Sequence, residues 1–95
     1  MIKHLVLFQF KEPKLKALDE AAAQLKALLG VVPSLRSMEV GVDFVKSERS
    51  MDLSLIATFD DEAGLEAYIH HPAHQEVATF IKAHALLSKA CDYQF

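Results

Sequence analysis

Five histidines stand out in a chain of 95 residues. Three of them crowd beside a tyrosine in the segment Ala67-Tyr68-Ile69-His70-His71-Pro72-Ala73-His74, with His4 and His84 elsewhere. Imidazole titrates near neutrality, so it accepts or donates a proton at working pH. Tyrosine adds a hydroxyl donor on a rigid, largely apolar body. Such a set can do general acid–base work on a small molecule.

Spacing selects among the five. His74, Val77 and Ile81 fall on one helical stripe, which turns His74 inward. Tyr68 shares a stripe with Leu65, and Ile69 lies beside it. His4 shares a strand face with Val6 and Phe8. His4, Tyr68 and His74 are therefore the candidate site, converging between helices and sheet. The walls expected around them are Val6, Phe8, Leu18, Ala22, Leu25, Val77 and Ile81. A polar cluster in an apolar cavity is the usual form of a small-molecule site. The same pattern also suits histidines that only hydrogen-bond backbone carbonyls in a core. His71, just before Pro72, reads as a helix-cap or turn residue.

Other chemistries find less support. His70 and His74 are four apart, the spacing of a zinc pair on an unbroken helix, but Pro72 lies between them and no third ligand stands nearby. No metal site is expected. Cys91 sits in an expected strand and reads as a buried structural thiol. No serine lies in a glycine-flanked elbow, and the three glycines form no phosphate loop.

The elements that must position these residues can be read in order. Residues 2–10 form a strand apolar on both faces: Val6, Phe8 and Phe10 with His4 on one side, Leu5 and Leu7 on the other. Pro13 opens a helix whose stripe is Leu15, Leu18, Ala22, Leu25 and Leu29, and Gly30 stops it. Residues 36–45 alternate as a strand, 46–50 make a polar turn, and 51–59 form a third strand. Asp60-Asp61 caps a short helix to about Ile69. Pro72 ends it and starts another, with Val77, Phe80, Ile81 and His84 inside. A last strand runs over roughly 87–95. The order β-α-β-β-α-β, with its second helix broken at Pro72, predicts an α+β ferredoxin-like fold with an antiparallel sheet, and one domain over 1–95. One face of the sheet is then left without cover, which points to a homodimer through the face carrying Leu5 and Leu7.

Composition narrows the partners. Hydrophobic residues make up 52% of the chain and the net charge is −3. A weakly acidic chain offers nothing to nucleic acid or to an anionic membrane surface. The lone cysteine excludes an internal disulfide and suits a reducing, cytoplasmic setting. The apolar run Leu5-Val6-Leu7-Phe8 is too short for a signal peptide or a membrane span, so no targeting segment is expected.

At this point the chain resembles a known family. Met1 to Phe8, Pro33 to Gly41, Asp52 to Asp60, Leu65-Glu66-Ala67-Tyr68, His71-Pro72-Ala73-His74 and Asp92-Tyr93 stand in the order found in the stress-responsive dimeric α/β-barrel (Dabb) proteins. The resemblance implies a ferredoxin-like protomer whose sheet pairs with a second copy to close a barrel, and no cofactor. Plant polyketide cyclases of the olivetolic acid cyclase type belong to that family and perform a cofactor-free aldol closure. Their tyrosine and histidine positions match Tyr68, His74 and His4. Where they carry bulky aromatics in the first helix, this chain has Leu18, Ala21, Ala22 and Leu25, so their substrate does not carry over.

Three functions follow as expectations. The first is a cofactor-free enzyme, cyclase-like, taking a proton next to the carbonyl of a small apolar compound: His74 as base, Tyr68 as orienting or oxyanion group, His4 assisting. The second is a non-catalytic, stress-associated dimer binding a ligand in the same pocket. The third, by fold analogy alone, is a cofactor-free oxygenase or haem-associated protein.

Overall fold

The computed structural model describes residues 1–95. Strand β1 (Ile2–Phe10) leads to helix α1 (Leu15–Lys26), then strands β2 (Ser37–Val42) and β3 (Leu53–Phe59). Helices α2 (Glu62–His70) and α3 (Pro72–His84) follow, and β4 (Ala85–Gln94) closes the chain. The four strands form one antiparallel sheet in the order β2-β3-β1-β4. This is the ferredoxin-like α+β fold. The helices pack on one sheet face because the apolar phase of each strand points there: Val6, Phe8 and Phe10 from β1, and Leu53, Leu55, Ala57 and Phe59 from β3, are all buried. Ala21 and Leu25 of α1 and Val77 and Ile81 of α3 close over them.

Pro72 makes the break between α2 and α3. It occupies the first turn of α3, where its missing N–H costs nothing. The residue before it, His71, is held extended, and its Nδ1 accepts the N–H of Ala73 at 3.0 Å. At the other end, Asp61 caps α2 by accepting from the Gly64 N–H at 2.8 Å.

The structure corrects the sequence reading at several element ends. Helix α1 begins at Leu15 with Lys14 at its cap, so Pro13 lies outside it. Its buried stripe is Ala17, Leu18, Ala21, Ala22 and Leu25. Leu15 sits roughly a quarter turn off that stripe and is exposed. The helix also stops at Lys26, before Gly30. Leu28 and Leu29 donate to carbonyls three residues back, and this tightening carries Leu28 inward and leaves Leu29 outside. Gly30, at φ +91°, completes the reversal.

Strand β2 ends at Val42 rather than 45. The Asp43 carboxylate accepts the Lys46 N–H at 2.7 Å, folding residues 43–46 into a turn and leaving Phe44 and Val45 exposed. Strand β3 starts at Leu53, and β4 starts at Ala85, directly off α3. Cys91 is exposed, not buried. It pairs across from Leu5 on the sheet face away from the helices, which nothing in the protomer covers.

Candidate active site

The site is built where α2, the Pro72 break and α3 meet strands β1 and β4. Tyr68 lies in the last turn of α2 with no exposed surface. Its ring centroid is 4.4 Å from His74, 5.1 Å from Phe59 and 6.2 Å from His4. Its ring thus packs against both imidazoles. Its hydroxyl oxygen is the one buried side-chain polar atom without a hydrogen-bond partner. Burial pushes the Tyr68 pKa up to about 12, so the hydroxyl keeps its proton and remains a donor.

His74 sits one turn into α3. Its Nδ1 lies 3.1 Å from the carbonyl oxygen of Ile69, on the far side of the Pro72 break. A carbonyl can only accept, so Nδ1 carries the proton and Nε2 holds the free lone pair. Burial holds the His74 pKa below its ordinary value of 6.5. The Ile69 carbonyl acts the other way, while His4 and Lys82 add to the lowering. The ring is therefore a neutral base at neutral pH.

His4 lies on the inner face of β1. Opposite it on β4 stands Asp92, whose carboxylate accepts from the His4 Nδ1. The His4 side chain is 14% exposed and that of Asp92 45%, so the pair reaches from the interior to the surface.

His4 and His74 both face a cavity of about 200 Å³. Val6, Phe8, Leu25, Val77 and Ile81 line it, as the strand and helix phases require. Leu18 and Ala22 do not: both are packed into the core beneath α1. Tyr68 lies behind the two imidazoles rather than on the lining. Sequence reasoning assigned no role to Asp92, nor to Lys82 and Ser88, which stand on the cavity lining. Asp92 becomes visible only once the β1–β4 register sets it across from His4. Lys82 carried a helical signal, eight residues beyond His74.

The remaining histidines are accounted for elsewhere. His70 contacts Glu66 at 2.9 Å on the surface. His71 is the α3 cap. His84 packs against Phe80 and Phe10, with centroids at 4.5 and 6.4 Å. His70 is bonded to Glu66 and His74 to the Ile69 carbonyl, and no group of three or more His, Cys, Asp or Glu side chains comes together to hold a metal. No helix is long and apolar enough to cross a membrane.

The sequence profile of the stress responsive A/B barrel domain matches residues 2–95. The chain belongs to the Dabb family. An uncharacterised protein of Streptomyces coelicolor is 33% identical to this Dabb chain over the full length of both. A dimeric ferredoxin-like protein of unknown function from Bacteroides fragilis superposes with a TM-score of 0.90 at 23% identity, over 99% of this chain and 95% of that one. The hydroxynitrile lyase of Passiflora edulis superposes with a TM-score of 0.83 at 18% identity, over 97% and 90%. These two likenesses establish the shared fold.

Proposed function

We propose that this Dabb protein is a homodimeric, cofactor-free enzyme that takes a proton from the carbon next to the carbonyl of a small apolar compound. The observation that carries the reading is the Nδ1 bond from His74 to the Ile69 carbonyl, which leaves a neutral Nε2 in an apolar cavity. In the step, the C–H bond breaks and its proton passes to His74 Nε2. The electron pair moves into the carbon–carbon bond, and the carbonyl oxygen becomes an enolate. The Tyr68 hydroxyl has no partner and lies behind the cavity lining; a shift of its side chain when ligand binds would let it donate to that oxygen or orient His74. His4, held by Asp92, assists from the sheet. A positioned base and an oxyanion donor each supply on the order of 10²–10³ in rate. Where the substrate carries a second carbonyl within reach, the same enolate closes a ring by aldol addition, as a polyketide cyclase does.

The fold of this chain is also that of a hydroxynitrile lyase, so a barrel of this kind houses chemistry; the reading here rests on this chain's own residues. The proposed dimer uses the sheet face of Leu5 and Leu7, both half-buried in the protomer, with Ile56 and Cys91 across from Leu5 and Ser54 and Lys89 across from Leu7. The relative from Bacteroides fragilis is described as dimeric. The lone exposed thiol of Cys91 fits a reducing compartment, the cytoplasm.

The test is hydrogen–deuterium exchange at the methyl group of acetophenone in D2O, followed by proton NMR. The protein should accelerate it above buffer with no added metal or cofactor. Saturable acetophenone binding without exchange would leave a non-catalytic binding dimer.

A further inference from the structure

One row of side chains along α3 bears on what the cavity takes. His74, Ala78 and Lys82 follow one another four residues apart and all three line the cavity. At helical spacing they form a single, slowly turning row. His74 stands at one end and Lys82 at the other, about 12 Å along the axis from backbone to backbone. Side chains on a helix lean toward its N-terminus, so the lysine stem brings its ammonium back toward His74. Ala78, between them, is small and leaves the space open. Lys82 is the only lysine, arginine or carboxylate on the lining, and it forms an ion pair with no carboxylate of the chain. Ser88, across the mouth on β4, makes no side-chain hydrogen bond within the chain and adds a free hydroxyl. The rest of the wall is mostly apolar.

Size sets the other limit. A dry apolar cavity of about 150 Å³ takes benzene. The cavity here, at about 200 Å³, has room for one substituted ring or a short chain. Drug-sized pockets begin near 300 Å³. A multi-ring or long-chain compound would have to leave most of its body outside.

We propose that the ligand of this cavity is a single-ring or short-chain carbonyl compound bearing a carboxylate, and that Lys82, with Ser88, selects it by binding that carboxylate at the mouth while the carbonyl end lies at His74. This rests on the reading of His74 as the base and adds the substrate class. The lowered pKa of His74, to which Lys82 contributes, agrees with an ammonium facing the same space. Lys82 also lies in the last turn of α3, where a cation favours the helix dipole. That role would show in stability and would not discriminate between ligands.

The experiment compares two probes of the same shape, 4-acetylbenzoate and 4-acetylbenzamide, which differ by one charge. Binding to the full chain is measured by NMR titration at low ionic strength, for wild type, Lys82→Met and Lys82→Arg, with a melting curve for each. Wild type should prefer the carboxylate by about tenfold, and added salt should reduce the preference. Lys82→Met should bind the two probes equally, and Lys82→Arg should keep most of the preference. Equal binding by wild type, an unchanged preference in Lys82→Met, or no binding of either probe at millimolar concentration would overturn the proposal. Exchange of the acetyl methyl protons in D2O reads His74 separately. Carboxylate preference without exchange would uphold Lys82 and remove the base. Exchange with no preference would do the reverse.

Discussion

His74 donates its Nδ1 proton to the carbonyl oxygen of Ile69 at 3.1 Å, across the break that Pro72 puts between two helices. That carbonyl belongs to the last turn of α2; the N–H that would reach back to it in an unbroken helix, that of Ala73, is turned at the Pro72 break to His71 Nδ1 instead. The same proline that stops one helix thus frees the acceptor that fixes the tautomer of the base at the start of the next. Replacing His74 by Gln removes the base and keeps a side chain that can still donate to Ile69. The variant should stay folded and dimeric, and carbonyl-directed proton exchange should fall by on the order of 10²-fold or more, read by proton NMR in D2O.

Tyr68 should show a conflict between stability and function. A buried hydroxyl with no partner costs about 1–3 kcal/mol, and Tyr68 is the one such group in the protein. Tyr68→Phe should therefore melt at the same temperature as wild type or higher. Its exchange rate should drop by about tenfold to a thousandfold. A large loss of melting temperature would mean that the hydroxyl has a structural partner.

The pH dependence follows from burial. The folded His74 pKa lies below its ordinary value of 6.5, so between the two values the unfolded chain binds more protons than the folded one. Stability from this group is fully present above pH 6.5 and is lost as the pH falls through the lowered value. Urea unfolding should therefore show wild type losing stability below pH 6.5 more steeply than His74→Gln. The exchange rate should fall with acid over the same range, with an apparent pKa below 6.5, as His74 becomes charged.

Asp92→Asn tests how His4 is held. The carboxylate is half exposed, so the pair contributes at most about 1 kcal/mol to stability. Loss of its negative charge should loosen the His4 ring and lower the exchange rate with little change in melting temperature. An unchanged rate would take His4 out of the mechanism.

The dimer can be broken independently of the site. Leu5 points to the sheet face opposite His4, and Leu5→Asp would bury an unpaired carboxylate in the proposed interface. Light scattering at micromolar concentration should give a dimer for wild type and a monomer for the variant. A monomeric wild type would contradict the assignment.

What the sequence made legible divides along physical lines. The element order and the inward phases of β1, β3 and α3 could be read because each rests on a period of two or of about 3.6 that burial enforces over a whole element. His4 and Tyr68 are placed beside His74 by phases of that kind. The ends of elements were less legible. Lys26, Val42 and Ala85 mark boundaries decided by local bonds, such as Asp43 to Lys46, that a periodic pattern does not contain. Leu18 and Ala22 share a helix stripe with Leu25, which points all three toward the cavity; only the depth of packing separates core from wall. Asp92 depends on strand register, which one strand alone does not reveal. A place in a strand suggests a buried Cys91, yet β4 lies on the edge of the sheet with its outer face open in the protomer.

Deuterium incorporation into the methyl group of acetophenone reads whether His74 is a neutral base acting next to a carbonyl. Wild type and His74→Gln should be compared at pH 7.5, at equal concentration, with matched melting curves and oligomeric state. Wild type should show saturable, catalytic exchange, and His74→Gln a rate near that of buffer. Equal rates for the two proteins, or no acceleration by wild type at saturating ketone, would contradict it.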